Sequence, residues 1–220
     1  MRLPTIHSKD ELVALVDELG FLPAFANHIP GFSVEECIHP AYWFPREGEG
    51  FWEWKGPAIQ ESGCAYGKFL KDRACFLRPD WYLEFANFRR DGYDFDARFE
   101  DGLARAVDKQ VFDVLEARPS LLSKELKAAA PVKNFDAVIT RLQMQGYVVI
   151  SNFEYLLSKD GRPYGWGLAR YETPEHRFGE DFTQKVYRHT PAQSAAWLTE
   201  QLARLLPDMG TAEITTLIGA

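Results

Sequence analysis

Residues 135–157, FDAVITRLQMQGYVVISNFEYLL, change their period at a glycine. Before Gly146, Phe135, Val138, Ile139 and Leu142 recur at i, i+3, i+4 and i+7, the spacing that puts four apolar side chains on one helical face. After it, β-branched and aromatic residues crowd YVVISNFEYLL, turn chemistry follows in SKDGRP (158–163), and YGWGLARYETP (164–174) is a second extended run. The segment predicts a helix followed by a β-hairpin. Upstream, Val107, Val111, Val114 and Leu115 stripe a helix over residues 109–117 that stops at Pro119. SKELKAAA (123–130) makes a second helix, with Ser123 as a candidate cap and Pro131 as its stop. Three short helices and a hairpin form a winged helix-turn-helix. The fold class is therefore α+β: a winged-helix domain over residues 107–178, packed on an N-terminal α+β region of residues 1–106 and followed by a C-terminal helix and tail over residues 179–220.

The remaining segments supply the companion layers. Ser8 and Glu11 have capping-box spacing before Leu12, Leu15, Val16 and Leu19, and Gly20 ends that helix. Pro23, Pro30, Pro40 and Pro45 punctuate the next stretch and leave room only for a short helix around residues 33–37. Residues 66–70 and 74–77 read as a hairpin, residues 79–87 as a helix, and TPEHRFGEDF (173–182) as a turn followed by a short irregular connector. A final helix opens at Thr190 or Pro191 and docks through Ala195, Leu198, Leu202 and Leu205. The tail from residue 207 is weakly apolar and is left open between a mobile end and a last strand or turn.

Composition narrows the function classes. A net charge of −7 argues against a protein that coats nucleic acid by electrostatics alone, yet residues 109–178 carry a slight excess of cations. No run approaches the roughly 20 apolar residues of a membrane span, and the N-terminus has no secretory pattern, so the expected location is cytoplasmic. Cys37, Cys64 and Cys75 lack CxxC pairing and read as free thiols; the five histidines are dispersed. The acidic run at residues 91–101 fails the alternating-oxygen pattern of a calcium loop, and Arg89, Arg90 and Arg98 are expected to neutralise it. Neither a metal nor a cofactor is expected.

Candidate contacts follow from the third helix. Its outward face, Lys133, Ala137, Thr140 and Met144, is poor in base-reading chemistry, which disfavours a sequence-specific repressor. Lys133, Arg141, Lys159 and Arg162 remain able to reach DNA phosphates, with Arg162 as the minor-groove contact if the hairpin acts as a wing over Tyr164 and Trp166. In FWEWKGPAIQ (51–60), read as extended, Trp52 and Trp54 share a side. They are either core or, with Lys55 and Gln60, an aromatic wall for a planar ligand or base.

The order of FWEWKGPAI, FANFRRDGYDFDARF, KELKAAA, RLQMQGYVVI and YGWGLARYETPE over residues 49–178 resembles the AlkZ/YcaQ-like winged-helix DNA glycosylases, and more closely the shorter AlkZ-related chains. The resemblance implies a winged-helix protein related to enzymes that excise alkylated or crosslinked bases, with DNA as partner. It also implies a Gln-aliphatic-Gln or Gln-aliphatic-Asp motif that positions water near the target nucleotide. Gln143-Met144-Gln145 has that pattern, at the end of the third helix rather than in the earlier segment the family uses, which makes Gln143 and Gln145 the catalytic candidates. Two readings stand beside a phosphate-contacting DNA binder: an active monofunctional glycosylase, and a protein-interaction module without nucleic acid.

Overall fold

The computed structural model describes residues 3–70, 73–157, 159–160 and 163–219. Helix α1 (Lys9–Leu19) forms as its signals predict: Ser8 Oγ accepts from the Glu11 N–H, Leu12, Leu15 and Val16 are buried, and Gly20 ends the helix at φ 73°. Strand β1 (Phe21–Pro23) and the short α2 (Val34–Cys37), capped by Ser33, follow.

The stretch FWEWKGPAIQ is not extended. It lies in helix α3 (Phe51–Ser62). The Glu53 carboxylate accepts from the Gly50 N–H at 3.0 Å, and Phe51, Trp54, Ala58 and Ile59 are buried at i, i+3, i+7 and i+8. That helical set outweighs both the local alternation of FWEW and the Pro57 inside the helix. Two residues apart on a helix is about 200°. Trp54 is accordingly buried against Tyr42, whereas Trp52 is half-buried among Phe25, Trp43 and Phe44. The single aromatic wall expected from Trp52 and Trp54 does not form.

Strands β2 (Ala65–Leu70) and β3 (Arg73–Leu77) make the expected hairpin, and α4 (Pro79–Arg90) runs three residues beyond its expected end. Helix α5 (Phe95–Glu100) occupies the acidic run. There the expected network of Arg89, Arg90 and Arg98 gives way to other partners. Asp94 caps α5 through the Ala97 N–H, Asp96 pairs with Lys109, and Arg98 donates to the Arg90 carbonyl.

Next come α6 (Ala106–Glu116), β4 (Leu121–Leu122), α7 (Ser123–Ala129), α8 (Phe135–Met144), β5 (Val149–Leu157) and β6 (Pro163–Glu172). Val111, Phe112 and Leu115 carry the α6 stripe, while Val107 is exposed. Leu122 rather than Ser123 is the α7 cap residue, its N–H held by the Glu125 carboxylate. Phe135, Val138, Ile139 and Leu142 of α8 are all at or below 4% exposure, and Gly146 stops the chain at φ 77°.

The six strands of the described residues join one antiparallel sheet in the order β1-β3-β2-β5-β6-β4. The link between its halves is narrow, Tyr66 opposite Ile150. Beyond the sheet, α9 (Pro174–Lys185) replaces the expected irregular connector and breaks at Gly179; α10 (Pro191–Leu205) packs on α4. The tail forms α11 (Thr211–Ile218), which buries Ile214, Leu217 and Ile218. Among the described residues no helix is long and apolar enough to cross a membrane, and no group of His, Cys, Asp and Glu is gathered for a metal. The three cysteines are buried and free.

Candidate nucleic-acid interface

Helix α8 is fixed to α6 and β2 by its apolar face, and its opposite side borders an open groove of about 770 Å3. Asp136, Ala137, Thr140, Arg141 and Met144 line one side; Lys68 of β2, Arg89 at the end of α4 and Gln145 complete it. Lys68 Nζ donates to Thr140 Oγ1 at 3.3 Å. Lys68 and Arg89 were not among the expected contacts. Lys68 could have been found as the one exposed position in an otherwise buried strand, but Arg89 reads in sequence as a counterion for the acidic run.

The expected cations are placed unevenly. Lys133 is exposed just before α8, and Lys159 is exposed in the turn between β5 and β6. Arg141 is committed elsewhere: Nε donates to Asp108 Oδ2 at 2.8 Å and Nη2 to Oδ1, which holds its guanidinium pKa above the ordinary value. Asp108 is 1% exposed, so turning Arg141 toward a phosphate would leave a bare carboxylate in the core. Arg162 and the side chains of Tyr164 and Trp166 lie outside the described residues.

The two glutamines differ sharply. Gln143 is 1% exposed, accepting at Oε1 from the Lys68 N–H (3.0 Å) and donating from Nε2 to the Ile139 carbonyl (3.1 Å). Strand β5 begins at Val149, so Lys68, two residues past the antiparallel Tyr66–Ile150 pair, has no β5 residue opposite it, and its N–H takes the Gln143 amide as acceptor instead. Gly67 permits this approach, since a Cβ there would lie 3.0 Å from Gln143 Oε1 and 2.7 Å from the Phe69 ring. Gln145 lines the groove, and its Oε1 is buried without a donor.

The α3 residues form a separate patch against β5. Lys55 is 6% exposed, with its ammonium 3.8 Å from the Phe153 ring centroid and 4.6 Å from that of Trp52. Burial pushes its pKa down to about 8, opposed in part by Glu53. Gln60 ties helix to strand, donating to the Ser151 carbonyl and accepting from Arg177 at 3.5 Å. Phe44, 62% exposed, stacks on Trp52 with centroids 5.7 Å apart.

An ion pair with a buried guanidinium joins two of the quoted sequence patches. Arg90, at the end of FANFRR, is 1% exposed and donates to Glu175 of the TPE run (2.7 Å), to the Tyr187 hydroxyl (3.0 Å) and twice to the Gly146 carbonyl. This guanidinium pins the turn after α8 between α4 and α9.

Neither a curated protein nor a solved structure matches the chain. A family model described as AlkZ related matches residues 6–219, so the chain belongs to the AlkZ-related family.

Proposed function

We propose that the protein is a winged-helix DNA-binding protein, related to AlkZ-like DNA glycosylases, that contacts the phosphate backbone. The winged helix comprises residues 107–178, seated on residues 1–106 and closed by residues 179–220. The order α6-β4-α7-α8-β5-β6 supports it, with β4 paired to β6 and α8 as the helix presented to the groove of a duplex. One observation carries the reading: α8 buries one full face, while its other side opens onto a concave surface that bears Lys68 and Arg89. Lys133 before α8 and Lys159 at the hairpin turn add exposed charge, and Arg162 belongs to the same turn in sequence. The scarcity of base-reading side chains on α8 makes this binding one of backbone and shape, compatible with damaged DNA.

Fluorescence anisotropy with duplex, single-stranded and abasic oligonucleotides at low salt tests the proposal. Binding that weakens steeply with added salt is expected; no binding to any of the three refutes it. The glycosylase alternative has one observation on its side, the amide of Gln145 on the groove, whereas the amide of Gln143 is fully engaged. Release of base from alkylated DNA, lost in Gln145→Ala, would establish that alternative.

A further inference from the structure

Arg89 is a half-buried cation with no carboxylate partner among the described residues. Its guanidinium lies over the Phe85 ring at 5.1 Å, and behind it a Cβ on Gly219 would fall 2.7 Å from Nη2. Among the described residues Nη2 reaches only the Phe69 carbonyl, at 3.5 Å, and Nε is buried without an acceptor. On the same groove, among the described residues, Gln145 Oε1 is also buried without a partner, and the Lys68 ammonium holds only the Thr140 hydroxyl. Asp136 is the one lining carboxylate without a cation pair among the described residues, since the Arg141 charge is already matched by Asp108. A guanidinium that has lost part of its water and gained no anion is poised for an oxyanion, because a charge-assisted N–H···O bond then returns what burial has taken away.

We infer that the groove is a phosphoryl-oxyanion site in which Arg89 supplies the main charge, Lys68 the second, and the Gln145 amide turns its NH2 toward the anion. The inference rests on the DNA-binding reading and deepens it, since the oxyanion is then a backbone phosphate of a strand lying along α8. Inorganic phosphate offers the same chemistry. Arg89 comes from α4 and Lys68 from β2, so the site is composite, and residues 107–178 alone do not contain it.

The test uses the full chain with 15N-labelled arginine and two variants, Arg89→Gln and the exposed-site Lys68→Gln. Inorganic phosphate is titrated while the arginine Nε–H signals are followed. A duplex of about 20 base pairs is titrated by anisotropy across a salt series. The expected result is a phosphate-dependent shift of the signal that Arg89→Gln removes. In each variant the log affinity against log salt slope should flatten by about 1, with affinity about tenfold weaker at low salt. A shift with phosphate but no duplex binding by the wild type keeps the oxyanion site and sinks the DNA reading. A changed slope without a phosphate shift assigns the site to backbone phosphate alone. Duplex binding whose slope both variants leave unchanged, with no phosphate shift, overturns the inference and spares the DNA reading.

Discussion

Replacing Arg90 by Met tests the idea that one buried guanidinium joins α4, α9 and the turn after α8. The side chain is 1% exposed, and its loss deprives the Gly146 carbonyl of two donors and Tyr187 of one. It also leaves Glu175, whose Oε2 already has no partner, with neither oxygen bonded. Breaking a fully buried pair by removing one member costs about 3–5 kcal/mol. The Glu175 side chain is 35% exposed and recovers part of its hydration, which places the expected loss near the lower end, about 3 kcal/mol. Against a total stability of about 5–15 kcal/mol this is large. Urea unfolding followed by tryptophan fluorescence should show the midpoint falling by about 1–3 M at unchanged slope, given slopes of about 1–3 kcal/mol/M. Glu175→Gln should cost less, because the amide oxygen still accepts from Arg90 and no bare charge is left behind. In Arg90→Met the added Glu175→Gln should recover about 1–2 kcal/mol, a coupling visible only in the double-mutant cycle. An Arg90→Met protein within 1 kcal/mol of wild type, or strict additivity of the two changes, would show that the guanidinium is not the fastener proposed.

Three other changes have worked-out signs. Lys55 has its pKa pushed down from 10.5 to about 8, so below pH 8 both folded and unfolded chains carry the proton and the full cost of burying it is present. Between about pH 8 and 10.5 the unfolded chain holds more protons, and stability should rise with pH by up to about 3 kcal/mol; Lys55→Met should abolish that rise and stabilise the protein at pH 7, as chemical denaturation at several pH values would register. Gln143→Ala strips the Lys68 N–H of its acceptor and opens a cavity, a loss of about 2–3 kcal/mol that should lower the thermal midpoint by about 5–10 °C, with faster hydrogen exchange at the Lys68 amide as its local signature. Arg141→Met should destabilise by about 3 kcal/mol through the bare Asp108, while Arg141→Met with Asp108→Leu should return close to wild type; equal stability of single and double variants in thermal melts would contradict the pairing.

What sequence could show depended on whether a residue's partner was near in the chain. The α8 stripe of Phe135, Val138, Ile139 and Leu142, and the strands after Gly146, were legible because period and turn chemistry are local. Helix α3 was misread because FWEW alternates over four residues, whereas the deciding pattern, Phe51, Trp54, Ala58 and Ile59, needs nine residues and the Gly50 cap to appear. Ile214, Leu217 and Ile218 of α11 have helical spacing too, but eight residues cannot hold a helix without the body they dock on. The site was less legible than the fold. Arg90 and Glu175 stand 85 positions apart, Arg141 and Asp108 33 apart, and Lys68 and Gln143 75 apart. Neither the engagement of Arg141 and Gln143 nor the orphaned Arg89 has any local signal, since each depends on which long-range partner arrives.

The narrow join in the sheet decides how the hairpin is held. Among the described residues only Tyr66 and Ile150 pair across β2 and β5; past that pair β2 turns to Gln143 of α8 for its next acceptor, and the far part of β5 is covered by α3. Gly56 allows that cover to be close, because a Cβ there would meet Asn152 Oδ1 at 2.8 Å, and Gln60 and Tyr155 add hydrogen bonds from helix to strand and from strand to helix. The hairpin root is thus clamped on one side by α8 and Arg90, and along its length by α3, so its angle to α8 is a property of the whole chain rather than of the three helices. A duplex lying along α8 and reaching the turn at Lys159 would therefore meet a preset geometry. Loosening α3, by Gly56→Val for example, should weaken binding to that duplex without touching a single contact residue, while binding to flexible single strands changes little.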